Sequence, residues 1–278
     1  MSRVFRRGGV VITILLLACC GNVPKLPYPP RTLTFDSPLY LPQVYAQPNK
    51  LGVAGGDAAQ VAALGAAWHY TWSIQCDDPA CVPMIWGAAD VDKPATDSAW
   101  LLGFNEPDLA GQANLTPQAA ALLWHDVEAR YPERKLVAPA PSHEHFDWLL
   151  GFYAAYVTTY GHAPRLDALA LHCYLPTAQA CIALGRRFVG LAQAWDIAEV
   201  WVTEFAFVPA YSYNAEREAR AFVTWLEQTP RITRYAPFVA HIACDWSWPD
   251  CRKSADPSLF DAFGQLTEMG TWYVKDKW

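Results

Sequence analysis

Trp100-Leu101-Leu102-Gly103-Phe104, an unbroken apolar run, passes directly into Asn105-Glu106-Pro107-Asp108. Val200-Trp201-Val202-Thr203 passes in the same way into Glu204-Phe205-Ala206. Continuous apolar runs this short read as strands buried on both faces of a parallel sheet. Outward from these two, similar runs recur at Leu51–Ala54, Trp68–Ser73, Val82–Gly87, Lys135–Ala138, Leu166–His172 and Val239–Cys244. Between them, Thr116 is set as the N-cap of a helix to Arg130, with Pro117 at its first position. Helices are also expected over Phe146–Tyr160, Cys181–Trp195 and Ala215–Glu227, the last with an apolar stripe of Ala219, Phe222, Val223 and Leu226. Strands alternating with helices in this number predict one α/β domain, a single (β/α)8 TIM barrel, a fold of about 250 residues. One joint fits badly. Only Ile74 to Cys81 links the second and third runs, where a parallel crossover needs about a dozen residues, so a reduced crossover is expected there.

The 278-residue chain is 53% apolar and 17% charged, with a formal charge of −6. That composition excludes a disordered chain, and the acidic balance argues against nucleic-acid binding. No phosphate-binding glycine loop and no HExxH stretch occurs, so no nucleotide, metal or other cofactor is expected. Residues 1–18 read as an export signal, with Arg3, Arg6 and Arg7 ahead of an apolar segment from Val10 to Leu17. Leu16-Leu17-Ala18-Cys19 has the form of a bacterial lipobox, which makes Cys19 the residue to be lipidated. Ordinary secretion or an uncleaved anchor is the alternative. Residues 19–49 form a Pro-rich tether and lead-in, and residues 50–278 the folded domain. The protein is thus expected to be extracytoplasmic and monomeric, touching the membrane only through its N-terminal lipid.

Beyond Cys19 and Cys20, the other six cysteines fall into three pairs close in sequence, and an even count in an exported chain reads as disulfides. Of fifteen connectivities, Cys76–Cys81, Cys173–Cys181 and Cys244–Cys251 are expected. Each pair follows a strand's C-terminal end, where it would brace the loops that surround a site.

In a barrel of this kind the reactive groups stand at the C-terminal ends of the strands. A carboxylate straight after a buried strand is costly without a partner or a task, and here two stand so placed, Glu106 and Glu204. Cleaving a glycosidic bond takes two carboxyls flanking the anomeric carbon, one to protonate the leaving oxygen and one to attack that carbon or activate water. His172 and Tyr174 share one face of their strand by two-residue spacing. Trp72, Trp86, Trp246 and Trp248 lie at or beyond strand ends on the same mouth, where indole rings can stack on sugars. Trp246 is the first choice for the floor beneath the cleaved sugar, while Trp68, Trp100, Trp124, Trp201 and Trp225 read as core.

WHYTW (68–72), VPMIWG (82–87), LGFNEPD (102–108), His172-Cys173-Tyr174 and WVTEFA (201–206) occur in order. Together they resemble glycoside hydrolase family 128, endo-β-1,3-glucanases of clan A, over roughly Leu51 to Val274. The resemblance implies a retaining enzyme with Glu106 as general acid/base and Glu204 as nucleophile. It also implies that Asn105 bonds the sugar 2-hydroxyl, that Tyr174 donates to Glu204 and that His172 binds sugar hydroxyls. The substrate it implies is a polysaccharide or oligosaccharide. Three departures stand out: Thr71 replaces a usual Asn, Cys173 a usual Trp, and Leu266-Thr267-Glu268-Met269-Gly270 a closing pattern with Pro. The Cys173 change keeps open a hydrolase for a different polysaccharide. A non-catalytic carbohydrate-binding lipoprotein is the other rival.

His143-Glu144-His145 invites a metal reading but lacks a third ligand, and reads better as a polar cleft rim. Asp77-Asp78 reads as a turn. Asn114-Leu115-Thr116 is a glycosylation acceptor only in a eukaryotic source.

Overall fold

A computed structural model describes residues 49–143, 145–242 and 256–274. The expected export signal, tether and Cys19, as well as Glu144, Trp246, Trp248, Cys244 and Cys251, lie outside them. Seven strands and six α-helices follow one another among the described residues: β1 (Gly52–Ala54), α1 (Ala58–Leu64), β2 (Trp68–Tyr70), β3 (Trp100–Leu102), α2 (Pro117–Arg130), β4 (Lys135–Val137), α3 (Phe146–Tyr160), β5 (Ala168–Cys173), α4 (Ala178–Ala194), β6 (Glu199–Phe205), α5 (Ala215–Gln228), β7 (Ile232–Pro237) and α6 (Glu268–Thr271).

The helices follow their caps. The Thr116 side chain accepts from the Ala119 N–H and Thr177 from Ala180, so α2 starts as expected and α4 starts three residues before Cys181. Helix α1 was not anticipated; it is seven residues long and is held by a capping box between Asp57 and Gln60. On α5 the stripe of Ala219, Phe222, Val223 and Leu226 is buried as expected. Buried Lys50 donates to the carbonyls of Leu226, Glu227 and Thr229, a cation placed at the negative end of the α5 dipole.

The closed eight-stranded barrel is not what the structure contains. Among the described residues there is a five-stranded parallel sheet, β3-β4-β5-β6-β7, and a separate two-stranded parallel sheet, β1-β2. Isolated bridges join them, Leu51 to Tyr235, His69 to Cys81 and Met84 to Leu102. Two of the expected strands account for the difference. Val82–Gly87 makes only single bridges, because Pro83 has no N–H to give a ladder. Nor is there a crossover helix before it: residues 76 to 81 are closed by the Cys76–Cys81 disulfide, and Asp78 inside that loop accepts from the Ala80 N–H and pairs with buried His69 at 2.7 Å. Val239–Cys244 gives way to β7, seven residues earlier, whose Thr233, Arg234 and Pro237 hide it from a search for apolar runs.

The core has two parts. One lies between the sheets and the helices, with Trp124, Phe152, Phe188 and Phe222 at its centre. The other lies inside the sheets, where Trp68 and Trp201 are matched by the small side chains of Ala54, Ala168, Ala170 and Ala236. A Cβ on Gly52 would sit 2.4 Å from the Trp68 ring, so only glycine fits there. The guanidinium of Arg234 lies 4.3 Å from the Trp201 ring centre, 5.5 Å from Trp68 and 5.7 Å from Trp100. A cation over indole faces is attracted by the ring quadrupole, which explains how a half-buried charged residue is tolerated in β7.

Candidate active site

Glu204 lies within β6, and Glu106 follows β3 by four residues. Both are buried, at 4% and 8% exposure. Glu106 is fixed by its backbone: its φ is 37°, a left-handed conformation costing a non-glycine residue on the order of 1–3 kcal/mol. Its N–H donates to the Ala140 carbonyl at 2.9 Å, and the Asn105 N–H to Trp86 at 3.0 Å. The chain beyond β3 is thereby tied to the neighbouring segments on both sides. Trp72 has a φ of 54° at the end of β2, a second strained residue at the same mouth.

Three donors converge on the Glu204 carboxylate. Oε1 accepts from the Tyr70 hydroxyl at 3.0 Å and from Trp72 Nε1 at 2.8 Å, while Oε2 accepts from the Tyr174 hydroxyl. Both oxygens are thus held in a set orientation. Burial pushes both phenols well above the usual tyrosine range, and the charge of Glu204 and its hydrogen bond push them further. They therefore remain protonated donors.

His172 joins the two acids. Its Nδ1 lies 3.0 Å from Glu106 Oε1 and 3.5 Å from Glu204 Oε2. Burial pulls its pKa down, but the charge of Glu204 and the hydrogen bond and charge of Glu106 outweigh this, so the net direction is upward. The three side chains present ligand-type atoms that all lie within 4.8 Å of one another. Such a cluster could in principle hold a cation, and equally could work on an anomeric carbon without one.

Glu106 and Glu204 open onto a cleft of about 680 Å³, with Trp72, Trp86, Asn105 and Tyr174 also on its walls. Six expected residues are therefore brought together, and Tyr174 donates to Glu204 as the resemblance implied. Two placements differ from expectation. His172 is fully buried behind the carboxylates rather than set on the wall for sugar hydroxyls. Trp72 spends its N–H on Glu204, and its ring packs edge-on to Tyr70 and Phe238.

Position 173 is not on the cleft either. Alternation along β5 turns Cys173 to the helix side, where it is disulfide-bonded to Cys181 of α4. Cys173 is fully buried and contributes nothing to the cleft wall. His145 of the His-x-His stretch pairs with Asp108 at 3.0 Å, and Asp108 also accepts from Ser142 N–H and Oγ. His143 lines the cleft.

Sequence reasoning missed Tyr70, Phe238 and Gln112. Tyr70 stands two residues before Trp72, and that same-face spacing could have found it. Phe238 closes β7, the strand that was overlooked, and packs edge-on against Trp72 and Tyr174. Gln112 carries no sequence signal.

A strand-end pair of glutamates, tied by a histidine and opening onto an aromatic cleft, is the constellation of a glycosidase. Residues 51–273 match the family described as Glycosyl hydrolase catalytic core, and the chain belongs to that family. It is a glycoside hydrolase, and its solved relatives bear out the resemblance to family 128. One is the subgroup II endo-β-1,3-glucanase of Pseudomonas viridiflava, 30% identical, with a TM-score of 0.65 over 81% of this chain and 97% of that one. Another is the subgroup III curdlan-specific exo-β-1,3-glucanase of Blastomyces gilchristii in complex with glucose, at 25% identity, TM-score 0.64, 81% and 97% coverage. A third is a mutant of the subgroup I endo-β-1,3-glucanase of Amycolatopsis mediterranei in complex with laminarihexaose, at 25% identity, TM-score 0.62, 81% and 98% coverage. No curated protein matches the chain.

Proposed function

We propose that this glycoside hydrolase is a retaining endo-β-1,3-glucanase with Glu106 as acid/base and Glu204 as nucleophile. The observation that carries the reading is the closeness of the two acids, which bring carboxylate oxygens within 4.8 Å of each other. Retaining enzymes hold their carboxyls about 5–5.5 Å apart, whereas inverting ones leave about 6.5–9.5 Å for a water.

In the first step Glu106 gives its proton to the glycosidic oxygen while a Glu204 oxygen bonds to the anomeric carbon and the old C–O bond breaks. In the second, Glu106 takes a proton from water, whose oxygen displaces Glu204 from that carbon. Two inversions give net retention. Asn105 bonds the 2-hydroxyl, and Trp86 and Phe238 offer apolar surface to the sugar rings. The β-1,3 linkage and endo action follow the Pseudomonas viridiflava relative.

The test is laminarin hydrolysis by the whole protein, with the first-formed anomer read by NMR. Oligosaccharides of mixed length released early, in the β-configuration, are the expected result. An α-anomer appearing first would sink the retaining mechanism. Release of glucose alone would replace endo action by exo action, and no turnover of any β-1,3-glucan would sink the substrate.

Tyr174→Phe tests the arrangement around Glu204. A hydrogen bond to a charged group is worth about 1.5–3 kcal/mol, so kcat/KM should fall about 10- to 100-fold. An unchanged value would mean that Tyr70 and Trp72 suffice to hold the nucleophile.

The same reading has the protein act outside the cytoplasm, anchored through Cys19. The Cys76–Cys81 and Cys173–Cys181 disulfides support it, since such bonds persist in oxidising compartments. Among the described residues no helix is long and apolar enough to cross a membrane.

A further inference from the structure

The segment after Glu106 folds back on its own start. The Leu109 N–H donates to the Glu106 carbonyl, Gln112 to Leu109 and Ala113 to Asn105, at 3.0, 3.0 and 3.2 Å. The Leu115 N–H closes the loop on the Pro107 carbonyl at 2.7 Å. This brings the half-buried Gln112 side chain to the cleft wall beside Asn105. There Gln112 Oε1 accepts from Asn105 Nδ2 at 3.1 Å.

Asn105 is 4% exposed, and its Oδ1 has no hydrogen-bond partner among the described residues. The bond that Asn105 donates to Gln112 is therefore, among the described residues, the side-chain contact that sets the Asn105 amide. The terminal torsion of an asparagine is broad and roughly two-fold, so without a partner the amide would present either edge. A primary amide nitrogen carries two donors in one plane. Fixing one N–H fixes the direction of the other.

We propose that Gln112 is a positioning residue: by accepting one N–H of Asn105 it locks the amide so that the second N–H serves the 2-hydroxyl of the sugar at Glu204. The inference rests on the two-glutamate reading above. Contacts to the 2-hydroxyl strengthen as the oxocarbenium-like transition state forms. An amide that is free to turn would thus lose more in kcat than in KM.

The test compares an aryl β-laminaribioside with the analogue lacking the 2-hydroxyl on the cleaved sugar, using the full chain. Gln112→Leu keeps the bulk and removes the acceptor, and Gln112→Glu keeps an acceptor oxygen. On the parent substrate Gln112→Leu should lower kcat roughly tenfold, the size of one hydrogen bond. On the 2-deoxy analogue the same change should leave kcat nearly unaltered, and Gln112→Glu should recover most of the loss on the parent. An equal fall on both substrates, as general loosening of the loop would give, overturns the proposal. So does an unchanged rate on the parent. Gln112→Glu guards against misfolding: native-like thermal unfolding with both substrates slowed alike also counts against it. If the unaltered protein cleaves neither substrate, the two-glutamate reading itself falls, an outcome distinct from any failure of Gln112 alone.

Discussion

Glu204→Ala is expected to lower kcat on β-1,3-glucan by at least about 10⁴-fold, the scale seen when a covalent nucleophile is removed. Among the described residues that line the cleft, Glu106 is the only other carboxylate. Glu106 is bonded to His172, and burial, the largest cause of the raised pKa of Tyr70 and Tyr174, persists without Glu204 and keeps both hydroxyls protonated. The substitution leaves Tyr70, Trp72 and Tyr174 arranged around the space of the lost carboxylate. Azide fits such a space, and the three donors suit a small anion. Added azide should therefore restore turnover and give an α-glycosyl azide, attack having come from the nucleophile's side. A β-azide would assign the nucleophile to Glu106 instead. Undiminished activity in Glu204→Ala would end the double-displacement mechanism.

Glu106→Gln should cost about 10²–10⁴-fold on glucan, the usual share of general acid–base catalysis. Its signature is dependence on the leaving group. A glucan alkoxide needs a proton to depart, whereas an activated aryl oxide does not. With an aryl laminaribioside the first step should remain fast and the second become slow, so that a burst of phenol precedes a low steady rate. Azide should then speed the steady rate and yield a β-glycosyl azide. Equal losses on glucan and on the aryl substrate would remove Glu106 from the acid role.

The two glutamates were legible because each follows an unbroken apolar run, and strand termini are where a carboxylate is both rigid and reachable. Tyr174 was legible by the two-residue period from His172. What the period could not give was depth: alternation puts His172 on the cleft side of β5, yet the carboxylates stand in front of it. Strand β7 escaped notice because its inward Arg234 is tolerated only by rings supplied from three other strands, a compensation invisible along the chain. With β7 missed, the aromatic at its end, Phe238, was missed too. The barrel expectation failed at Val82–Gly87 for a related reason: the run is apolar enough for a strand, but Pro83 and the six-residue disulfide loop before it permit only bridges. Gln112 owes its place wholly to the return of the loop from Glu106, a matter of backbone closure rather than of residue type.

Trp201 has a neighbour on each side, Trp68 at 5.3 Å and Trp100 at 4.7 Å between ring centres, at steep interplanar angles. Indole chromophores this close and mutually tilted couple their electronic transitions. The protein thus carries a built-in optical reporter at the end of its sheets remote from the cleft, visible as a paired signal in circular dichroism. Trp72 and Trp86 line the cleft and lie outside that cluster, so sugar binding should quench their fluorescence while leaving the coupled signal in place. Loosening of the sheet interior should do the reverse.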